Sequence, residues 1–225
     1  MPDLQLVLVR HGETEWIERG LIHGRLDSPL SATGRRNAES TAERLRGEKF
    51  DALYASSSGR AMQTAGIIGE AVGLKPIPVE GLREMDFGIF EGRALSTLDI
   101  GVENPWLRAR NSLARVVMGL TGESRSKFAA RIRSALQSIV RDHPTGRVLI
   151  VTHFGVLSTL TSILMEDDHR RWKEYGPWGA CSISEMHAVD GAWQAVRLND
   201  LTHLGNNLQN AEISPQRHEG SKTQR

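Results

Sequence analysis

The sequence predicts an α/β fold, a three-layer sandwich with a mostly parallel central sheet, helices on both faces, and an antiparallel strand near the C-terminus. Short β-favouring apolar runs alternate along the chain with segments in which apolar residues recur at helical spacing, a pattern typical of parallel sheets covered by helices. Two late β-favouring runs, 182–189 and 192–198, meet at Asp190-Gly191, a dipeptide that favours a hairpin. The 225 residues, 39% of them hydrophobic, suffice for the core of one domain.

The N-terminal half predicts two strands, each followed by a helix. Serine is a preferred N-cap and glycine a frequent stop after the last turn, and these residue types set the helix bounds. The predicted elements are a strand at 4–9, a helix from Ser31 to Gly47, a strand at 51–55, and a helix from Ser57 or Ser58 to Gly73.

The C-terminal half begins with an irregular stretch, 81–92, followed by an amphipathic pattern from Trp106 to Leu120. The clearest strand of the chain then lies between two helices and precedes the hairpin. These elements are a helix over 128–139 closed by Pro144, the strand 147–152, and a helix from Gly155 to Met165. We expect one domain over 1–208, with 92–122 as a candidate cap segment, and a disordered polar tail over 209–225.

Composition narrows the classes of partner. The formal net charge is only +1, so nothing calls for nucleic acid or an anionic membrane. The single cysteine, Cys181, excludes an intrachain disulfide and gives no support to secretion. The apolar start at 4–9 is too short for a signal-peptide core or a membrane span. We therefore expect a cytoplasmic protein that binds a small molecule, with its oligomeric state, a homodimer included, left open.

Two histidines directly follow predicted strands: His11 after 4–9, and His153 after 147–152. Ligands bind at the carboxyl ends of strands in open α/β sheets, and Arg60 falls in the first turn of a helix, where backbone N–H groups favour an anion. With Arg10, these side chains could form a cationic pocket that fits a phosphate dianion. Taken singly, each is more often an ordinary loop or solvated helix residue, and spacing alone does not show that they converge.

In addition, several blocks of the chain resemble the histidine phosphatase superfamily, also called phosphoglycerate mutase-like, in the family's order. The first block, Leu8-Val9-Arg10-His11-Gly12-Glu13-Thr14, is similar to the signature that contains the phosphorylated histidine. The resemblance extends over about residues 4 to 205. The further blocks are 27–34, 54–65, 82–92, 122–124, 148–153, 181–184 and 198–204.

The resemblance implies a role for each candidate catalytic residue. His11 would attack phosphorus and form a phosphohistidine, while Arg10, Arg60 and His153 would hold the phosphoryl oxygens. Glu84 would protonate the leaving alkoxide and then deprotonate the attacking water, so it has to carry a proton in the first step. His153 is expected to be a cation, because it faces the phosphoryl group.

The same resemblance implies the residues that bind substrate, and it implies no metal and no cofactor, because the arginines supply the positive charge that a metal ion would bring. Gly12 would let the backbone approach phosphate closely. The implied substrate- and phosphate-binding residues are Arg10, Gly12, Thr14, His23, Gly24, Arg60, His153 and Phe154.

The chain departs from the family pattern at five positions. Ile17 stands where many members have a phosphate-contacting asparagine, and His23 and Asn37 stand where glutamine is common. Phe154 replaces a usual glycine and Ala180 a common asparagine. None of these changes removes a catalytic group, but they bear on phosphate affinity and substrate shape.

The favoured function is a phosphomonoesterase that acts on a small phosphorylated metabolite. A phosphoglycerate mutase is the first alternative, and a catalytically weak scaffold with the same fold is the second. As the family is known, its mutases carry a longer insert after the acid-bearing loop, with a tyrosine and an Asn-Lys pair. Between Gly92 and Gly122 this chain has no tyrosine, and neither Asn104 nor Asn111 precedes a lysine. The segment therefore favours hydrolysis over isomerisation.

Overall fold

The computed structural model describes residues 4–95, 120–166, 177–189 and 191–205. Most of the predicted cap segment and the predicted tail at 209–225 lie outside these residues. The described strands are β1 (Leu4–Arg10), β2 (Ala52–Ser56), β3 (Ile77–Val79), β4 (Gly146–Thr152), β5 (Ile183–Val189) and β6 (Ala192–Asp200). The described helices are α1 (Glu15–Glu18), α2 (Ala32–Leu45), α3 (Gly59–Val72), α4 (Arg125–Asp142) and α5 (Phe154–Leu164), with short 3₁₀ turns at Glu80–Leu82 and Gly88–Phe90.

The six strands form one sheet in the order β3-β2-β4-β1-β5-β6. Strands β1 to β4 are parallel, whereas β5 runs antiparallel to both β1 and β6. Residues 189 and 192 pair at the end of the predicted hairpin, next to Gly191 with its positive φ of 87°. The predicted mostly parallel sheet with an antiparallel C-terminal part is confirmed.

Helices cover both faces of this sheet, as predicted. Side chains alternate along β1, so that Leu6 and Leu8 pack on one face with residues of α4 and α5. Val7 and Val9 pack on the opposite face with residues of α2 and α3. The central strands are therefore buried on both sides, which explains why they read as continuous apolar runs.

Two short elements were absent from the sequence-based prediction. Strand β3 has only three residues, includes Pro78 and pairs with β2 alone at the sheet edge, where proline is tolerated. Helix α1 has four residues and is capped by the Thr14 hydroxyl, which accepts from the Ile17 N–H at 3.2 Å. Neither is long enough to display the periodicity on which the prediction depends.

The predicted helix caps are largely confirmed. The Ser31 hydroxyl accepts from the Gly34 N–H, and Gly73 ends α3 in the left-handed conformation at φ 74°. Ser58 is the N-cap of α3, but its hydroxyl makes no capping hydrogen bond. That hydroxyl faces His153 instead.

The strand register places the two candidate histidines side by side. Arg10 at the end of β1 is paired with Thr152 at the end of β4. The residues that follow the two strands, His11 and His153, therefore leave the sheet side by side. The His11 N–H donates to the Thr152 carbonyl at 2.8 Å. Within the described residues, every helix is too short or too polar to cross a bilayer.

Candidate active site

His11 and His153 form the centre of the site. Their ring centroids are 5.0 Å apart at an interplanar angle of 61°. His11 is 4% exposed and His153 is fully buried. The two imidazole rings thus pack edge to face at the carboxyl end of the parallel strands β1 and β4.

The hydrogen bonds of His11 define which nitrogen can react. Its Nδ1 lies 2.7 Å from the Gly12 carbonyl oxygen, which can only accept, so Nδ1 carries the proton. Burial lowers the pKa of His11 well below its usual value, and the charges of Arg60 and Arg10 act in the same direction. The ring is therefore neutral at pH 7, and the lone pair lies on Nε2.

Arg60 is anchored within hydrogen-bond distance of that lone pair. Its Nε lies 3.4 Å from His11 Nε2. Its Nη1 donates to Asp27 Oδ1 at 2.9 Å and to the Leu26 carbonyl, while Nη2 donates to the Gly24 carbonyl at 3.0 Å. The side chain is 1% exposed, so the pair with Asp27 balances a buried charge.

Arg10 is held by a carbonyl and an aromatic ring. Its guanidinium donates to the Trp178 carbonyl oxygen, and its Cζ lies 5.5 Å from the centroid of Phe154. Its Nε is buried and has no hydrogen-bond partner within the described protein. An unpaired buried donor costs free energy unless a ligand satisfies it.

His153 also carries a buried nitrogen without a hydrogen-bond partner in the described protein. Its Nε2 lies 2.7 Å from Ser56 Oγ and 3.3 Å from Ser58 Oγ, whereas its buried Nδ1 has no partner among the described atoms. Burial lowers the pKa of His153 well below its usual value, followed by the charges of Arg60, His11 and Arg10. Positive neighbours in a dry pocket thus favour the neutral ring as long as no phosphoryl group is bound. The expected cation concerns His153 facing a phosphoryl group, and it stays a prediction.

The Glu84 carboxylate lies at the N-terminus of α5, the helix that begins directly after His153. Its Oε2 accepts from the Gly155 N–H at 3.0 Å, and its Oε1 accepts from the Met85 N–H at 2.9 Å. A Cβ at position 155 would overlap with Oε1. Gly155 therefore leaves the space that the carboxylate occupies.

Arg131 from α4 holds the loop that carries Glu84 through hydrogen bonds. Its guanidinium donates to the carbonyls of Gly81, Arg83 and Glu84. An ion pair with Glu123 at 2.7 Å completes its contacts. Because three backbone carbonyls are fixed at once, the loop has little freedom to move the acid.

Four further predicted residues line the loops around His11. The Gly12 N–H donates to Thr64 Oγ1 at 3.0 Å, and the Gly24 carbonyl accepts from Arg60. Thr14 Oγ1 lies 2.9 Å from His23 Nε2, and burial lowers the pKa of His23 to about 4. The polar groups of Gly12, Thr14, His23 and Gly24 thus bind other protein groups in the ligand-free site.

Gly12 has a reason to be glycine other than the expected approach of phosphate. A Cβ at this position would lie 2.7 Å from the Gly34 carbonyl oxygen and 3.2 Å from Leu30 Cδ2. The loop after β1 therefore packs directly on the first turn of α2. This close backbone contact fixes the position of the neighbouring His11.

Several residues that support the site were not predicted from the sequence as site residues: Asp27, Ser56, Ser58, Glu91 and Trp178. Besides Asp27, the Glu91 carboxylate accepts from the N–H groups of residues 25, 26 and 87, and so pins the loop whose carbonyls hold Arg60. Asp27 and Glu91 stand inside the blocks quoted above, but no pattern in the sequence shows which groups they contact. The described part of the chain contains no cluster of three or more His, Cys, Asp or Glu side chains that could hold a metal ion.

The arrangement suits phosphoryl transfer. Within the described residues, the neutral imidazole of His11 lies beside His153 and within reach of the Arg60 guanidinium, and the charge of Arg10 acts on it. The Glu84 carboxyl group binds the N-terminus of α5, directly after His153. Charge stabilisation and positioning are the main requirements of this reaction.

Comparison with known proteins agrees with this chemistry. The family model of the histidine phosphatase superfamily, branch 1, matches residues 6–201. The probable phosphoglycerate mutase GpmB of Proteus mirabilis is 37% identical over 209 residues, which cover 89% of this chain and 95% of that protein. Its counterpart from Yersinia enterocolitica is 34% identical over 195 residues, covering 85% and 88%.

Solved structures give the same picture. YhfR of Bacillus stearothermophilus superposes with a TM-score of 0.77 at 30% identity, covering 89% of this chain and 99% of that one. Mycobacterial glucosyl-3-phosphoglycerate phosphatase gives 0.73 at 26% identity, covering 87% and 98%. Fold, strand-end histidines and family match agree, and the chain belongs to the histidine phosphatase superfamily, branch 1.

Proposed function

We propose that the chain is a phosphomonoesterase that hydrolyses a small phosphorylated metabolite through a phosphohistidine on His11. The observation that carries the proposal is that His153, Arg60 and Arg10 converge on the neutral His11 ring. Arg10 Nε and His153 Nδ1 are buried and have no hydrogen-bond partner within the described residues. A phosphoryl group bound to His11 would accept hydrogen bonds from both of these nitrogens. The positive charge of Arg60, already balanced on one side by Asp27, adds to the attraction for a dianion.

The first half of the reaction transfers the phosphoryl group to the enzyme. The lone pair on His11 Nε2 forms the N–P bond while the ester P–O bond breaks, and its electrons move to the ester oxygen. Glu84 gives its proton to that oxygen, and the alcohol leaves. Arg10, Arg60 and His153 stabilise the charge on the equatorial oxygens.

The second half releases phosphate. Glu84, now a carboxylate, takes a proton from water as the water oxygen attacks phosphorus. The N–P bond breaks, and its electrons return to Nε2. The enzyme regains a neutral His11 and a protonated Glu84, so that the cycle consumes only ester and water.

Hydrolysis is favoured over isomerisation by the sequence of the segment after the acid-bearing loop. A mutase has to shield its phosphohistidine from water while the intermediate reorients. The interval from Gly92 to Gly122 lacks the tyrosine and the Asn-Lys pair that the resemblance associates with mutases. A site that admits water should release phosphate quickly.

A phosphoglycerate mutase is the second candidate, because the relatives from Proteus and Yersinia carry that name. Solved relatives include both a phosphoglycerate mutase from Bacillus anthracis, at a TM-score of 0.75, and phosphatases. Both activities share the phosphohistidine step, so the site geometry serves either.

One assay separates the two functions. Purified protein is incubated with 3-phosphoglycerate and catalytic 2,3-bisphosphoglycerate, and 2-phosphoglycerate and free phosphate are followed together. A parallel panel of phosphomonoesters tests for hydrolysis of other substrates. We expect phosphate release to dominate; formation of 2-phosphoglycerate much faster than phosphate release would make the chain a mutase.

A further inference from the structure

The Nε2 atom of His153 faces two serine hydroxyls and neither a carboxylate nor a backbone carbonyl. Ser56 Oγ lies 2.7 Å from His153 Nε2, and Ser58 Oγ lies 3.3 Å from it. The two hydroxyls are 3.2 Å apart, and the Ser58 N–H donates to Ser56 Oγ at 3.3 Å. All three side chains are buried, so no bulk water competes for these contacts.

A hydroxyl can donate or accept, which matters because His153 has different needs in its two protonation states. The neutral ring can present a proton on Nδ1 only if Nε2 accepts, and the Ser56 hydroxyl can donate to it. In the cation, Nε2 carries a proton and Ser56 Oγ has to accept it. The Ser56 hydroxyl proton can then turn to Ser58 Oγ.

Other partner types would not serve both states. A backbone carbonyl would hold the proton on Nε2, and the Nδ1 lone pair would then face the phosphoryl oxygens. A carboxylate would favour a permanent cation and add negative charge close to the incoming dianion. Two neighbouring hydroxyls avoid both problems.

The charged groups around His153 disfavour its protonation before phosphate binds and favour it afterwards. The groups that act on His153 are Arg60, His11, Arg10 and His23, and all of them disfavour its protonation. A phosphate dianion next to Nδ1 reverses that balance, because opposite charge at close range favours the protonated ring.

We infer that Ser56 and Ser58 are positioning residues that keep the Nδ1–H of His153 directed at the phosphoryl group and let His153 take up a second proton when phosphate binds. The inference rests on the proposed function in that it takes phosphate as the ligand. Ser56 serves both protonation states, whereas Ser58 serves mainly the cation.

The test is ¹⁵N NMR of histidine-labelled protein, with His153→Asn used to assign the His153 signals. Inorganic phosphate is then titrated in, and its Kd is measured. We expect wild-type His153 to be the Nδ1–H tautomer in the free protein and doubly protonated with phosphate bound. An Nε2–H tautomer in the free wild type overturns the inference whatever the variants do.

Alanine variants of the two serines separate the role of Ser56 from that of Ser58. Ser56→Ala should populate the other tautomer and weaken phosphate binding about tenfold, the loss expected for one hydrogen bond to a charged group. Ser58→Ala should keep the free tautomer but weaken phosphate binding several-fold. The matched control is Ser162→Ala in α5, a buried serine whose Oγ has no partner within the described protein; it should change neither.

The outcomes remain distinct from those of the proposed function. An unchanged tautomer and unchanged phosphate Kd in Ser56→Ala would overturn the role of Ser56, and an unchanged Kd in Ser58→Ala would overturn that of Ser58. If the wild type binds phosphate and shows both expected states of His153 but hydrolyses no ester, the proposed function fails and the inference stands. If the wild type binds no phosphate, the proton uptake fails, whereas the proposed function is decided separately by phosphate release from esters.

Discussion

The Nε atom of Arg60 lies 3.4 Å from the Nε2 atom of His11, so the nitrogen assigned as the nucleophile directly faces a guanidinium. Burial lowers the pKa of His11 most, and this permanent cation lowers it further, so that Nε2 keeps its lone pair. In the free enzyme that lone pair accepts from the Arg60 Nε–H, which a phosphoryl group would displace. The same cation would neutralise charge on a phosphoryl group attached to Nε2. One contact therefore serves both the free enzyme and the phosphoenzyme.

His11→Ala should abolish turnover, because no other nitrogen occupies that position. It should also remove the acid-labile, base-stable phosphate that can be trapped on the wild type with a rapid quench. His187→Ala, on strand β5, is the control histidine variant and should retain both properties. If His11→Ala kept a substantial fraction of wild-type kcat, another group would have to be the nucleophile.

Asp27→Asn should lower kcat/KM about ten- to a hundredfold, since it replaces the charge-assisted hydrogen bond to Arg60 with a neutral one. The buried guanidinium would then lose its only carboxylate partner in the described structure. Asp142→Asn, in an exposed pair with Arg141, is the control. Wild-type kinetics in Asp27→Asn would mean that the carbonyls of residues 24 and 26 suffice to hold Arg60.

Glu84→Gln should slow the hydrolysis of alkyl phosphates far more than that of p-nitrophenyl phosphate. A p-nitrophenolate leaves without a proton, whereas an alkoxide requires one in the transition state. Single-turnover phosphorylation of the enzyme isolates this step. Equal losses on both kinds of substrate would remove Glu84 from the acid role.

Gly155→Ala should reproduce part of that leaving-group dependence, because its Cβ would displace the Glu84 carboxylate. Gly66→Ala in α3 is the matched control, since a Cβ there meets nothing within 4 Å. We expect this control to be as active as wild type and more stable by about 0.5–1 kcal/mol. An uncompromised rate on alkyl phosphates in Gly155→Ala would show that the acid tolerates displacement.

The free energy of unfolding should fall as the pH is lowered from about 6.5 towards 4. His23 has a pKa of about 4 in the folded protein, whereas an unfolded histidine titrates near 6.5, so only the unfolded state binds a proton between these values. The stability contributed by the neutral ring is complete above pH 6.5 and is lost on acidification. His11 and His153, whose pKa values are also lowered, act in the same direction.

His23→Gln should remove about 2 kcal/mol of this pH dependence, a figure reduced from the full pKa difference for solvent screening of a partly exposed ring. Urea unfolding at pH 7.5 and 4.5 measures it, with His187→Gln as the histidine control. Identical pH dependence in His23→Gln and wild type would show that His23 does not carry the effect.

Activity should survive EDTA. The positive charge required by the transferring phosphoryl group comes from the arginines at positions 10 and 60, which a chelator does not remove. Turnover is compared before and after dialysis against EDTA, and again with added Mg²⁺ or Mn²⁺. Loss of activity that either cation restores would contradict the metal-free mechanism.

The sequence by itself determined the fold class and the main catalytic candidates. Buried strands such as β1 and β4 read as apolar runs because both their faces are covered, and the Asp190-Gly191 dipeptide gave the hairpin from local turn chemistry. His11 and His153 were candidates because each directly follows such a strand, and the family resemblance implied their catalytic roles. Strand β3 was not, since three residues at an edge carry no period.

Only the tertiary structure decided how these candidates are supported and in which protonation state they rest. Asp27 meets Arg60 across 33 positions, and Ser56 meets His153 across 97, contacts that no local pattern encodes. The pKa of His153 depends on burial and on four neighbouring cationic or titratable groups that the fold brings together, which is why the ring is neutral as long as no phosphoryl group is bound. Residue type fixes what a side chain can do, whereas dielectric surroundings and long-range packing fix which of those states it adopts.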